Sequence, residues 1–123
     1  MKNIEKYTAQ ELLVRFREAC LAQYETYING NINKYNKIQD ILLEITRELK
    51  RRGLTERRSL LTLLADKNPQ VRLQAAKKVY SVAPTEAKAC LEAIAASGLP
   101  DVSLSAGMTL SRLEEVPNCL DWI

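Results

Sequence analysis

Histidine is absent from the 123 residues of this chain, and glycine and aromatic residues are sparse. Without histidine, no side chain has an unperturbed pKa near neutrality, so acid–base catalysis would need a perturbed carboxylate, lysine, tyrosine or cysteine. The four glycines lie far apart, which excludes a glycine-rich phosphate-binding loop. We therefore predict that the protein is not an enzyme. The weak nominees for a catalytic group are Glu44, Glu48 and Cys90.

Cysteine is also scarce: Cys20, Cys90 and Cys119 are widely separated and odd in number. This pattern is typical of reduced thiols buried as small apolar residues rather than of a disulfide framework. A zinc site would need about four nitrogen, sulfur or oxygen ligands, usually in closely spaced pairs, and no such pairs occur. We expect no metal and no cofactor.

Long apolar runs are missing as well. No segment reaches the roughly 18 apolar residues that span a bilayer, and the opening MKNIEKYTAQ lacks the apolar core of a signal peptide. A content of 46% hydrophobic and 27% charged residues is ordinary for a globular protein. We expect one domain over 1–123, soluble, cytoplasmic and without membrane contact.

Apolar residues recur every three or four positions, which predicts amphipathic helices. Thr8 and Glu11 have the spacing of a capping box that opens a helix over 8–29, and Gly30 suits its end. The helix over 31–52 follows after so short a turn that the two helices should pack as an antiparallel pair. The stripe of this second helix is the most regular in the chain: Tyr35, Ile38, Leu42, Ile45 and Leu49.

The remainder of the chain continues the helical pattern. Residues 55–83 read as a second helix pair, whose first helix begins at a Thr55 cap. A fifth helix follows over 85–97, and a short helix with a C-terminal tail occupies 103–123. No alternating β-branched run bounded by turn residues occurs anywhere. The predicted fold is all-α, with five to six helices.

Residues 60–82 resemble one HEAT-type repeat. A leucine-rich helix precedes a turn containing Asp66, Asn68 and Pro69, where Asn68 suits the N-cap and Pro69 the first helical position. In such repeats the turn aspartate and the arginine of the next helix connect neighbouring turns by hydrogen bonds. The resemblance implies that role for Asp66 and Arg72. It also implies antiparallel pairs stacked as a short right-handed HEAT-like array, an α-α superhelix.

The chain is also similar, over nearly its whole length, to a small bacterial family catalogued as a domain of unknown function. Three segments carry the likeness: residues 11–23, 68–84 and 91–110. The resemblance implies a compact helical-repeat fold and supplies no catalytic residues. By analogy with other small helical bacterial proteins, an immunity or adaptor role is one expectation.

Charge is segregated along the chain. Residues 1–46 carry six basic and six acidic side chains, residues 47–78 carry ten and three, and residues 79–123 carry two and six, which together give the net charge of +3. The middle segment is therefore the predicted contact surface. Its candidate partner-binding residues are Arg51, Arg52, Arg57, Arg58, Arg72, Lys77 and Lys78.

Three interpretations of this basic segment stay open. The segment is either a solvated face with cations at helix ends, or a surface that binds an acidic protein, or a surface that binds nucleic-acid phosphates. No aromatic residue lies between Tyr35 and Tyr80, so base stacking has no support there. We predict a protein–protein interaction module with an unidentified acidic partner, and nucleic acid is the alternative. Monomer and homodimer are both open.

The tail with Trp122 either folds back over the open end of the helix stack or docks on a partner.

Overall fold

The computed structural model describes residues 3–123 and confirms the all-α prediction: this part of the chain contains no strand. Its six α-helices are α1 Ala9–Asn29, α2 Ile32–Arg52, α3 Leu54–Arg58, α4 Pro69–Val79, α5 Pro84–Ala96 and α6 Val102–Glu115. Short 3-10 helices precede α1 (Ile4–Lys6), continue α3 (Ser59–Ala65) and follow α4 (Tyr80–Val82). Within residues 3–123, no helix has the length and apolarity needed to cross a bilayer.

The first helix pair has the caps that its sequence predicts. The Thr8 hydroxyl accepts a hydrogen bond from the Glu11 amide at 3.1 Å, and the Glu11 carboxylate accepts one from the Thr8 amide at 3.0 Å. Helix α1 ends at Gly30, whose φ of 66° lies in the left-handed region that glycine tolerates. The Asn31 side chain then accepts from the Lys34 amide at 3.1 Å and opens α2. The short turn between them makes α1 and α2 antiparallel neighbours.

The third helix differs from its prediction. It begins directly after Gly53 rather than at a Thr55 cap, and it changes to a 3-10 helix at Ser59. The hydroxyls of Ser59 and Thr62 each donate to a backbone carbonyl three residues earlier. Hydroxyl groups that take backbone acceptors in this way compete with the α-helical pattern, which accounts for the tighter winding.

Helix α4 occupies the centre of the structure. It starts where predicted, because the Asn68 side chain accepts from the amides of Gln70 at 2.8 Å and Val71 at 3.3 Å, with Pro69 in the first turn. It packs against the 3-10 continuation of α3, against α1, and against α5 and α6. Since neighbours surround α4, its polar side chains also become buried.

The core runs between the helix pairs α1/α2, α3/α4 and α5/α6. The predicted stripe of α2 is buried from Ile38 to Leu49, and Tyr35 at its start is half-buried. Other large side chains that are wholly or almost wholly buried are Leu12, Phe16, Leu60, Leu73, Leu91 and Ile94. Burial of each such side chain contributes about 2 kcal/mol, so this apolar contact dominates folding.

The C-terminal tail folds back onto the helices. Leu120 and Ile123 are buried, whereas Trp122 between them is 60% exposed. The Arg57 guanidinium donates to the Ile123 carbonyl at 2.6 Å and to the Ser81 hydroxyl at 2.8 Å. Of the two alternatives for the tail, fold-back onto the helices is present, and it leaves the indole at the surface.

Candidate binding groove

Two of the predicted contact residues are not on the surface. Arg57 is 7% exposed and holds the tail, while Lys78 is 1% exposed. Burial lowers the pKa of both side chains. The expectation that they steer a partner from an outer face is therefore wrong: they project inward from helices that are covered on several sides.

Three other predicted cations are engaged in ion pairs. Arg51 donates to both Glu48 carboxylate oxygens, at 2.9 and 2.7 Å, and Arg52 donates to Glu48 at 2.7 Å. These hydrogen bonds lower the pKa of Glu48 to about 2. Arg58 lies 3.7 Å from the Glu86 carboxylate. The basic segment is thus divided among separate local pairs and does not form one surface.

Asp66 and Arg72 are the residues that the HEAT resemblance implies would connect neighbouring turns, and Asp66 makes its hydrogen bond with α1. Asp66 accepts from Arg17 of α1 at 2.6 Å, and its other oxygen accepts from the Asn68 amide at 2.9 Å. The Arg72 Nε is buried, and no partner lies within hydrogen-bond distance among residues 3–123. The turn aspartate does connect two helix pairs, but through an arginine that no motif in the sequence marks.

Lys77, another of the predicted contact residues, meets Arg112 in a groove between α4 and α6. Two adjoining depressions, of about 890 and about 300 Å³, share Lys77, Thr109 and Arg112. Thr109 and Arg112 lie about one turn apart on α6 and so share a face. We call this feature the α4–α6 groove. It is defined by Tyr27, Gln39, Lys77, Lys78, Thr109, Arg112 and Trp122.

A cluster of four glutamines lies beneath the groove. The glutamine cluster consists of Gln23, Gln39, Gln70 and Gln74. Gln23 Oε1 accepts from Gln70 at 2.7 Å and from Gln74 at 2.9 Å, while Gln23 Nε2 donates to Gln39 at 3.2 Å. Gln74 Nε2 also donates to Gln39 at 3.1 Å. Because unpaired buried amides are costly, these mutual hydrogen bonds hold α1, α2 and α4 in one arrangement.

Lys78 joins the glutamine cluster to the groove. Its Nζ donates to Gln74 Oε1 at 2.9 Å, and burial, with the nearby charge of Lys77, lowers the pKa of Lys78 to about 7. Burial also lowers the pKa of Lys77. Among residues 3–123, no carboxylate lies at ion-pair distance from either amine. The two amines of the groove therefore have no paired acidic side chain in this part of the chain.

The rim of the groove is mixed in character. Trp122 and Arg112 are exposed beside its smaller depression. Asp101 and Glu115 lie near the two ends of α6 and line the larger one. Met108 is also exposed on α6 and lines the same depression. The rim thus offers apolar contact beside a cationic floor, with negative charge at its ends.

The nominated catalytic groups lie elsewhere. Glu48 is enclosed by its arginines on α2, with Glu44 one turn before it. Cys90 lies on α5 within 3.8 Å of the Arg72 carbonyl, and burial raises its pKa. Neither Glu48 nor Cys90 lines the α4–α6 groove. The described residues contain no group of three or more acidic, cysteine or histidine side chains placed to hold a metal.

Sequence reasoning missed two parts of this site. Gln70, Gln74 and Lys78 follow one another at intervals of four, which places a polar stripe on one face of α4. That spacing was the available signal, although it does not say that the stripe faces inward. Arg112 is one of two basic residues in the acidic segment 79–123, and nothing in the sequence places it opposite Lys77.

Comparison with known proteins supports the fold and a family. Residues 10–114 match the family model described as a domain of unknown function (DUF2019). The chain is similar to a crystal structure of the protein RPA1889 from Rhodopseudomonas palustris CGA009, with 34% identity and a TM-score of 0.88. The similarity covers 94% of this chain and 96% of that one. Comparison with curated proteins gives no match.

Proposed function

Because this chain belongs to the family described as a domain of unknown function (DUF2019), we propose its function from its own surface. The protein is a non-enzymatic module that binds an acidic segment of a partner protein in the α4–α6 groove. One observation carries this proposal. Lys77, Lys78 and Arg112 converge on the groove, and within residues 3–123 none of them has a carboxylate at ion-pair distance.

The architecture supports a binding surface of the helical-repeat type. The second helix of each pair, α2, α4 and α6, contributes to the groove through Gln39, Lys77 and Arg112. Stacked helix pairs that line one extended surface with equivalent helices are the means by which HEAT-like superhelical arrays hold their partners. We therefore treat the chain as a short HEAT-like array with α4 at its centre.

The charge distribution favours a protein over nucleic acid. Asp101, Glu115 and Asp121 lie near the groove or on its tail, and they would repel a phosphate chain that carries a charge about every 3.4 Å of helix axis on each strand. An acidic side chain brings a single charge to one point. Trp122 is the only tryptophan in the chain, so the groove offers no series of rings on which bases would stack. A cytoplasmic adaptor or immunity protein in bacteria is the setting that such a module fits.

Site-specific photocrosslinking tests the proposal. A photoreactive amino acid replaces Trp122 at the rim, and in a matched control it replaces Lys88, which is exposed on α5 and outside the groove. We expect the Trp122 position, in cells of the native host, to crosslink to an acidic segment of a protein. The same crosslink should disappear when Lys77 and Arg112 are both changed to glutamate.

Two outcomes would contradict the proposal. Crosslinks to nucleic acid, combined with a steep loss of binding as salt rises, would favour the alternative that the basic charge of the chain also suggests. A protein crosslink that persists after charge reversal in the groove, or that forms equally from the control position, would show that the α4–α6 groove is not the contact site.

A further inference from the structure

We infer that the α4–α6 groove contains a carboxylate-binding site above Lys78, which takes one glutamate or aspartate side chain of the partner. This inference rests on the proposed function and names the chemical group that anchors the partner. The carboxylate is held by Arg112 and Lys77 at the mouth of the smaller depression, and Lys78 supplies the buried charge beneath it.

The buried Lys78 amine has no acidic side chain paired with it among residues 3–123. Burying an ammonium group without an opposite charge is costly, and proteins normally compensate it. The groups that face Lys78 are Cys20 from α1, Gln39 from α2, Lys77 on α4 itself, Arg112 from α6, and Cys119 and Ile123 from the tail. The main-chain oxygen of Ile123 accepts from Arg57. Burial raises the pKa of the Cys20 thiol to about 12, so it stays uncharged at neutral pH. No side chain that lines this depression is an aspartate or a glutamate, and an external carboxylate would supply the negative charge.

Hydrogen-bond donors that a carboxylate could use surround the smaller depression. Gln39 Oε1 already accepts from Gln23 and Gln74, so its Nε2 remains available to donate. Gln74 Oε1 takes one of the three N–H groups of Lys78, and the other two have no hydrogen-bond partner among residues 3–123. The Arg112 guanidinium matches a carboxylate in shape and pairs with it through two parallel hydrogen bonds. Gln39 Nε2, the Lys78 amine and the Arg112 guanidinium can thus each donate to a ligand in the smaller depression.

The size and surroundings of the smaller depression suit a single acidic side chain. A depression of about 300 Å³ accepts one side chain and not a folded segment. Beside it, Trp122 and Met108 provide exposed apolar surface for the residues that flank an acidic one. An acidic side chain between apolar neighbours in an extended peptide therefore fits the groove better than a free anion, which would use only the cationic part.

The test uses three probes on the intact protein: a terminally blocked peptide with one glutamate between apolar residues, glutarate and inorganic phosphate. Binding is followed by Trp122 fluorescence, since Trp122 lines the smaller depression, and by calorimetry. NMR of the Lys78 side chain gives its pKa with and without probe. The variants are Lys78→Met and Arg112→Gln, with Lys88→Gln as a matched loss of one exposed positive charge.

We expect the peptide to bind about tenfold more weakly to Lys78→Met and to Arg112→Gln, and to bind Lys88→Gln within about twofold of the unaltered protein. Bound carboxylate should raise the Lys78 pKa from about 7 toward its ordinary value of 10.5. Should Lys78→Met not fold, Arg112→Gln and the pKa of Lys78 in the unaltered protein still decide the question.

Three results would overturn the inference. Equal peptide affinity in Lys78→Met and the unaltered protein removes Lys78 from the site, while the photocrosslinking result for the proposed function stands. Phosphate binding as tightly as glutarate and the peptide indicates a general anion site. Absence of binding by all three probes removes the carboxylate site, and the crosslinks from Trp122 then decide separately whether the groove holds a protein.

Discussion

Replacing Lys78 with methionine should flatten the pH dependence of stability. Methionine is unbranched and of similar length, so it fills the same space without a charge. In the folded protein burial lowers the pKa of Lys78 to about 7, whereas the unfolded chain keeps the ordinary value of 10.5. Between these values the unfolded chain binds a proton that the folded protein has released. Stability therefore rises with pH in this window.

The magnitude follows from proton linkage. Each pH unit over which the two states differ by one proton changes the free energy of unfolding by about 1.4 kcal/mol. From pH 7, where Lys78 is half protonated in the folded protein, to pH 9, where it is neutral, this contribution amounts to about 2 kcal/mol. The Lys78→Met variant lacks this pH-dependent contribution to stability. The Gln74 oxygen loses its donor in the variant, which adds a constant cost of about 1–3 kcal/mol without changing the slope.

Urea unfolding of both proteins at several pH values between about 7 and 9 measures the effect. Ionisation of Cys20 in the unfolded chain affects both proteins alike, so the difference between the two curves isolates Lys78. A difference that grows by about 2 kcal/mol in favour of the unaltered protein across the range supports the reasoning. Parallel curves would show that the Lys78 amine remains protonated or reaches water, and the buried uncompensated charge would be refuted.

Three further predictions concern the free energy of unfolding measured in urea. Arg57→Ala should lose about 3 kcal/mol, because the tail loses its charged hydrogen bonds, whereas exposed Arg58→Ala should lose under about 1 kcal/mol; equal losses would contradict the role of Arg57. Asn68→Ala should lose about 1 kcal/mol through its two cap hydrogen bonds, and no loss would show that Pro69 alone starts α4. Gln23→Leu should lose about 2–3 kcal/mol, because it leaves other buried amides unpaired; a neutral result would mean that water replaces Gln23.

Local signals were the reliable part of the sequence. The capping box at Thr8, the stop at Gly30 and the Asn68 cap depend on backbone groups within a few residues, so the sequence contains all the participants. The apolar stripe of α2 is similarly decided by spacing. The prediction that Thr55 caps the third helix was wrong, because the chain turns into the helix at Gly53, two residues earlier.

The site was less accessible to prediction because it depends on long-range packing. A basic side chain looks the same in sequence whether it faces water, as Arg58 does, or the interior, as Arg57 does. The sequence predicts that Lys78 contacts a partner, and only the position of α4 among its neighbours buries it. Arg17, which binds the turn aspartate Asp66, lies 49 residues before it in the chain and matches no motif.

The glutamine cluster has a consequence for how this protein can move. Aliphatic side chains meet one another almost equally well after a helix slides by one turn, whereas amides retain their partners only in a single registration. Gln70 and Gln74 both donate hydrogen bonds to Oε1 of Gln23, so displacing α4 by one turn would break both bonds at once. Any adjustment of the groove to a guest must come from α6 and the tail, with α1, α2 and α4 moving as a single rigid block.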